Sequence, residues 1–221
     1  MNGIFVMTIY QLRVSLKYTK PPIWRRVAVP SNITLGQLHE IIQIAMGWTN
    51  SHLHQFILRD KSLKPTRDEM RRVDLDEPLG DVFINRMRGE RVFAPATTPF
   101  GDPMDMEGED EDEVLLEEVC PKVKGKLIYE YDFGDGWEHT VEVQKVEPAK
   151  SKVDYPVCLA GKLACPPEDC GGVFGYYHLL EVLADPKHEE YEDLVEWMGD
   201  DIDPEVFDIE EINAMLAEWR G

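Results

Sequence analysis

Two strand-forming stretches, one near each end of the chain and separated by a polar, partly acidic middle, constrain this fold more than any other feature. Residues 8–18, TIYQLRVSLKY, place Ile9, Leu12, Val14, Leu16 and Tyr18 at close to every second position. That is the period of a half-buried strand. Pro21 and Pro22 interrupt it, and Ile23–Val29 reads as a second strand. Far downstream, Leu127–Phe133 and His139–Val146 are strand-like runs joined around Gly134-Asp135-Gly136. Asp-Gly between such runs signals a hairpin, because glycine takes a positive φ without steric cost. A lone two-stranded hairpin is marginal in water. The two β regions are therefore expected to share one sheet.

Helices fill the space around it. Thr34 opens one, with Gln37 three residues on as a capping box, and Gly47 closes it. Leu35, Leu38, Ile41, Ile42 and Ala45 form its apolar stripe. Leu53–Leu58 reads as a third strand, which gives a β-β-α-β start. Three helices are expected to finish the chain. The first runs over about 174–183. The second starts at Pro186 and carries Tyr191, Leu194, Val195 and Met198 on one face before Gly199. The third is capped by Asp208 with Glu211 three residues later, and buries Ile209, Ile212, Leu216 and Trp219. Residues 60–91 lack sustained periodicity, and Asp102–Glu118 holds ten acidic residues and no basic one. So dense a like charge reads as a solvated loop or linker; a calcium loop is the alternative, but the EF-hand order of ligands is absent. Residues 147–172 read as a loop rich in Pro, Cys and Gly. The expected architecture is a single α+β domain over 1–221, with a mostly antiparallel sheet and a polar, acidic insertion at about 60–118.

Composition narrows the function classes. With 221 residues, 43% of them apolar, the chain is long enough to build a core without staples. No apolar run approaches the roughly 18 to 20 residues that span a bilayer. The N-terminus shows no basic region followed by an apolar stretch, so a cytoplasmic protein is expected. Net charge is −20, split between 14 Lys/Arg against 9 Asp/Glu in residues 1–100 and 9 against 34 in residues 101–221. The acidic second half repels phosphate backbones and disfavours nucleic acid as a partner. A protein or a small molecule is the expected partner class.

Chemistry is concentrated in two groups of residues. Cys158, Cys165 and Cys170 lie within VCLAGKLACPPEDCGG, at separations of 7 and 5, while Cys120 stands apart. In a reducing compartment such a cluster reads as a metal or reactive site rather than a disulfide frame. Zinc matches the softness of thiolate and wants four ligands, leaving one place for a histidine, a carboxylate or water, with His139 the candidate histidine. The plainer alternative is three small buried hydrophobes in a compact loop. His52 and His54 sit two apart on the third strand and point to one face. They could meet His139 with Asp132 or Asp135, either around a catalytic metal or for acid–base work. Equally, each histidine could satisfy a local hydrogen bond. His188, in the first turn of the second C-terminal helix, fits a capping role beside Glu189 and Glu190. Asp132-Phe133-Gly134 is a turn, because no kinase catalytic loop precedes it.

The blocks YQLRVSLKYTKPPIWRRVAVP, TLGQLHEIIQIAMGW, SHLHQF, YDFGDGWEHTVEV, YPVCLAGKLACPPEDCGGVFGY, ADPKHEEY and FDIEEINAML resemble the plasmid Ri open-reading-frame-three-like proteins. Relatives of these are passengers on insertion elements. The resemblance covers about three-quarters of the chain and implies a compact α+β fold without a settled activity; the mobile-element association is genomic company rather than mechanism. The motif positions carried over are His52, His54, Asp132, Asp135, Trp137, His139, Cys158, Cys165, Glu168, Asp169 and Cys170. They mark where a site is expected, with no role attached. A non-enzymatic binding or interaction module, with zinc held in the cysteine loop, is the first expectation. A metal-dependent hydrolase using His52, His54 and His139, acting on nucleic acid, is the alternative.

Overall fold

A computed structural model describes residues 7–71, 81–97, 108–199 and 203–220. Strands β1 (Thr8–Leu16) and β2 (Trp24–Pro30) lead into helix α1 (Leu35–Met46) and strand β3 (His54–Arg59). A 3-10 turn (Lys61–Leu63), α2 (Arg67–Met70), α3 (Asp81–Arg88), β4 (Glu90–Ala94), β5 (Glu109–Asp110) and α4 (Leu116–Val119) follow. The chain continues through β6 (Lys126–Tyr131), β7 (Trp137–Pro148), β8 (Val157–Lys162), α5 (Gly172–Leu183), α6 (Tyr191–Met198) and α7 (Ile209–Trp219). No helix among the described residues is long and apolar enough to cross a membrane.

All eight strands form one sheet in the order β5-β4-β3-β6-β7-β1-β2-β8. Every pair is antiparallel except β4 with β5. The expected α+β class, the mostly antiparallel sheet, the β-β-α-β start, the hairpin and the three C-terminal helices are all present. The two β-rich ends meet through β1 and β7, which pair from Thr8↔Pro148 to Leu16↔His139. Alternation decides which side of the sheet is dry. Leu12, Val14 and Leu16 of β1 are buried, with Arg13 and Ser15 between them half-buried. On the wet side Arg13 lies 4.2 Å over the Trp24 ring, and Arg26 donates to Gln144 at 3.1 Å.

Helix α1 covers the dry side. Thr34 caps it and Gln37 closes the box in return, at 3.1 Å each way. Gly47 ends it at φ +89°. Its face of Leu35, Leu38, Ile41 and Ile42 is fully buried in the same core as Phe56, Tyr129 and Trp137. Arg25 is buried beneath the end of α1, its Nε donating to Ala45 O at 2.8 Å. The partial negative charge of a helix C-terminus favours a cation there. At the far edge, the Asn213 amide of α7 exchanges two hydrogen bonds with the Cys158 backbone, at 2.7 and 3.0 Å. A side chain thereby covers part of the open edge of β8.

Four local readings change. Residues 157–162, expected within a loop, form β8 against β2. Helix α6 starts at Tyr191 rather than Pro186. The preceding residues turn back, Asp185 O accepting from His188 N, so His188 is not in a helical first turn; its Nδ1 accepts from Glu190 N at 3.2 Å. Of the four apolar residues assigned to α7, Leu216 is fully buried, while Ile209, Ile212 and Trp219 are half-buried against the core. The acidic run departs most from a solvated loop. Its described part, 108–118, adds β5 and α4 and buries Glu111, Val114 and Leu116. Backbone pairing is indifferent to side-chain charge when alternate side chains can face water. Residues 102–107 of that run, and 72–80 and 98–101 of the middle, lie outside the described residues.

Candidate functional site

The site lies at one end of the central strands. It is framed by the end of α1, the residues entering β3, the β6–β7 turn and the loop after β8. Helix α1 stops at Gly47, and Trp48 folds beneath the loop, its Nε1 donating to Pro166 O at 3.0 Å. The register His54↔Tyr131↔Trp137 and Phe56↔Tyr129↔His139 lines aromatic rings and imidazoles along the dry face. The turn bends at Asp132, whose Oδ1 accepts from Gly134 N at 2.9 Å and Asp135 N at 3.3 Å. Gly172 lets the loop close over this turn. Its φ is +67°, and a Cβ there would sit 2.3 Å from Asp135 O.

Tyr131 ties the converging segments together. Its hydroxyl accepts from Ser51 N at 3.1 Å and donates to Glu168. Glu168 also accepts from Thr49 N at 3.0 Å and Thr49 Oγ1 at 2.6 Å. The neighbours in sequence of these anchors, His52 and Asp169, are thereby held face to face. His52 Nε2 lies 3.4 Å from Asp169 Oδ1 and 3.7 Å from Asp132 Oδ2. The three ligand-type atoms all lie within 4.8 Å of one another. They are the one group of three or more potential ligands within such reach among the described residues.

A cavity of about 350 Å³ adjoins His52. His39, Asn50, His54, Glu111, Asp112 and Glu40 contribute to its wall, along with Gly36 and Pro95. The rings of His39 and His54 stack with centroids 3.4 Å apart and planes within 1°. His39 reaches Tyr129 Oη through Nδ1 at 2.8 Å and Asn50 Oδ1 through Nε2 at 2.7 Å. His54 Nε2 faces Glu111 Oε1 at 2.9 Å. Burial pushes the Glu111 carboxyl up to about 8, helped by Asp112, Asp110 and Glu40. Burial lowers His54 to about 4 against the opposing pull of Asp112. It lowers His39 to about 3, with His54 adding to the shift. The two shifts together keep one proton in the contact between Glu111 Oε1 and His54 Nε2 at neutral pH. Burial of both side chains disfavours an ion pair at this spacing.

The sequence-predicted residues divide into three sets. His52, Asp132, Glu168 and Asp169 converge at one rim. His54 lines the same cavity as His52 but is stacked on His39 and paired with Glu111. His139 lies on the same dry face but is fully buried. Its Nδ1 reaches Tyr129 O at 3.3 Å, and its ring stands edge-on to Trp48 at 5.2 Å. Burial lowers it to about 4. The histidine trio of the hydrolase reading does not gather in one cleft. Asp135 Oδ2, Trp137 Nε1 and His139 Nε2 are buried atoms without a hydrogen-bond partner among the described residues.

The four-ligand set Cys158, Cys165, Cys170 and His139 does not gather either. Cys158 Sγ points to Ala160 O at 3.7 Å, and Cys170 Sγ to Gly172 O at 3.9 Å. Burial raises all three thiols, Cys170 to about 12, so they stand as packed, protonated side chains. Sequence reasoning missed His39, Asn50 and Glu111. His39 carried a signal, since it falls on the buried face of α1 between Leu35 and Ile42. Glu111 carried none, being one acid among many.

Comparison with known proteins places this arrangement. An uncharacterized protein of Sinorhizobium fredii is 34% identical over 219 residues, covering 97% of this chain and 95% of that one. The crystal structure of a protein of unknown function from Methanosarcina mazei superposes with a TM-score of 0.71 at 36% identity, covering 93% of this chain and 97% of its own. The plasmid pRiA4b ORF-3-like protein family matches over residues 8–211, spanning every strand and every residue of the site. The chain belongs to the plasmid pRiA4b ORF-3-like family.

Proposed function

We propose that this protein is a binding module that takes a small cationic molecule, an amine or guanidine, in the cavity beside His39, His54 and Glu111. We read the chain as one domain built around that cavity, because strands from both ends of the sequence enter one sheet. One observation carries the ligand class. Among the described residues, the cavity wall contains Glu40, Glu111 and Asp112 and no lysine or arginine. A cation or strong hydrogen-bond donor is the complement of such a wall. The volume of about 350 Å³ has room for roughly ten water-sized groups.

The stacked imidazoles support binding over turnover. His39 and His54 are each spent on partners within the chain, which fixes their rings and leaves a shaped wall. Glu111 supplies the coupling. A cation arriving beside it favours the carboxylate, so binding near pH 7 releases a proton. Calorimetric titration of the whole protein with putrescine and with methylguanidine, in buffers of differing ionisation enthalpy, tests this. The expected result is saturable binding with proton release, a Glu111→Gln variant that binds more weakly without the release, and no binding of acetate. Absence of heat with both cations, or binding of acetate as strong as that of the cations, overturns the reading.

A further inference from the structure

We propose that His52, Asp132 and Asp169 form a site for a divalent transition-metal ion, with zinc the best fit. The contacts are wrong for the simpler explanation. A protonated histidine paired with a carboxylate closes to about 2.7–2.9 Å. Here His52 Nε2 stays 3.4 Å from Asp169 Oδ1 and 3.7 Å from Asp132 Oδ2. It is a buried atom with no hydrogen-bond partner among the described residues. Those separations are instead close to the edge of a coordination tetrahedron. With metal–ligand bonds of about 2.0–2.2 Å, two ligands at the tetrahedral angle stand roughly 3.4 Å apart. The third separation also stays within 4.8 Å.

The donor set is one imidazole and two carboxylates, which suits zinc and excludes a soft thiolate-seeking ion. Three protein ligands leave a fourth position for water or an external group. Supporting contacts hold Asp132 directly and the chain beside the other two ligands. Asp132 is 8% exposed at its side chain, with Oδ1 engaged by two backbone amides and Oδ2 left to face His52. The Tyr131 hydroxyl anchors the backbone beside His52 and the Glu168 side chain beside Asp169. Outer partners of this kind orient metal ligands. His52 also lines the cation pocket, but Asp132 and Asp169 lie outside its wall, so variants of the two aspartates separate this site from that reading.

Titration of chelator-treated whole protein with Zn²⁺ alone, followed by calorimetry and by the melting temperature, tests the site. Cobalt substitution then reports the ligand type. One equivalent is expected to bind and to raise the melting temperature, because the ion binds only the folded state. Asp132→Asn and Asp169→Asn each lower affinity by at least about 10- to 100-fold, the loss that follows removal of even an outer partner. The asparagines keep the local backbone hydrogen bonding, and Asp169 is 71% exposed at its side chain, so the Asp169 variant tests binding without threatening the fold. A Cys165→Ser/Cys170→Ser variant binds as the parent does, and the cobalt form lacks a thiolate charge-transfer band. No uptake by the parent protein, unchanged affinity in both asparagine variants, or a thiolate band abolished by the serine changes would overturn the assignment.

Discussion

Replacing Glu111 with glutamine removes a proton that the folded protein keeps near neutral pH, and the consequence follows from the linkage of protonation to folding. The ordinary values are 4.5 for the carboxyl and 6.5 for the imidazole. In the unfolded chain, Glu111 and His54 together hold no proton once pH exceeds about 6.5. In the folded protein the pair keeps one up to about 8. Whether that proton rests on Oε1 or on Nε2, the count is the same. Between pH 6.5 and 8 the native state therefore binds one more proton, and stability falls as pH rises. At 1.36 kcal/mol per unit, the loss over that window is about 2 kcal/mol. Urea denaturation at pH 6.5, 7.2 and 8 measures it. With an m-value of about 3 kcal/mol/M, the parent midpoint falls by about 0.7 M across the window. In the Glu111→Gln variant the fall disappears, while the amide still donates to His54. His39 and His139 do not confuse the result. Their lowered values make stability rise with pH, but only up to 6.5. Parallel profiles for parent and variant above pH 6.5 would refute the proton retained in the buried His54–Glu111 contact.

Gly172→Ala places a Cβ at φ +67° and 2.3 Å from Asp135 O. The backbone strain alone costs about 1–3 kcal/mol, and an unchanged urea midpoint would show that the loop is not clamped on the β6–β7 turn. The buried thiols, raised by desolvation with Cys120 at about 12, are expected to resist iodoacetamide at pH 7 until the protein unfolds; rapid labelling of the native protein at Cys165, followed by mass spectrometry, would contradict their packing.

Local signals in the sequence were enough for much of the frame. Thr34, Gln37 and Gly47 delimit α1 because caps are satisfied within a few residues. Gly134-Asp135-Gly136 fixes the hairpin, since the turn requires residues that accept unusual φ. The period-two run of β1 identifies its buried side before any partner is known. By contrast, β4, β5 and β8 are short strands whose residues carry little alternation; their neighbours in the sheet make them strands. The same holds for the site. His52, Asp132 and Asp169 stood out individually, yet the grouping with His54 and His139 failed, because the His54 imidazole is taken up by His39 and Glu111 and His139 is sealed inside the core. The cysteine loop stood out by composition, and folding used its thiols as packing.

Sequence alone set the elements whose hydrogen bonds and apolar periods close over short range: the first helix and its caps, the hairpin, and the dry side of the long strands. Tertiary structure decided which polar groups lose water. Glu111 differs from the acids beside it only because β5 pairs with β4 and carries it beneath α1, and the His52 imidazole meets two carboxylates only because Tyr131 draws two distant segments to one point. Desolvation and convergence depend on long-range pairing, and no window of the chain contains both partners.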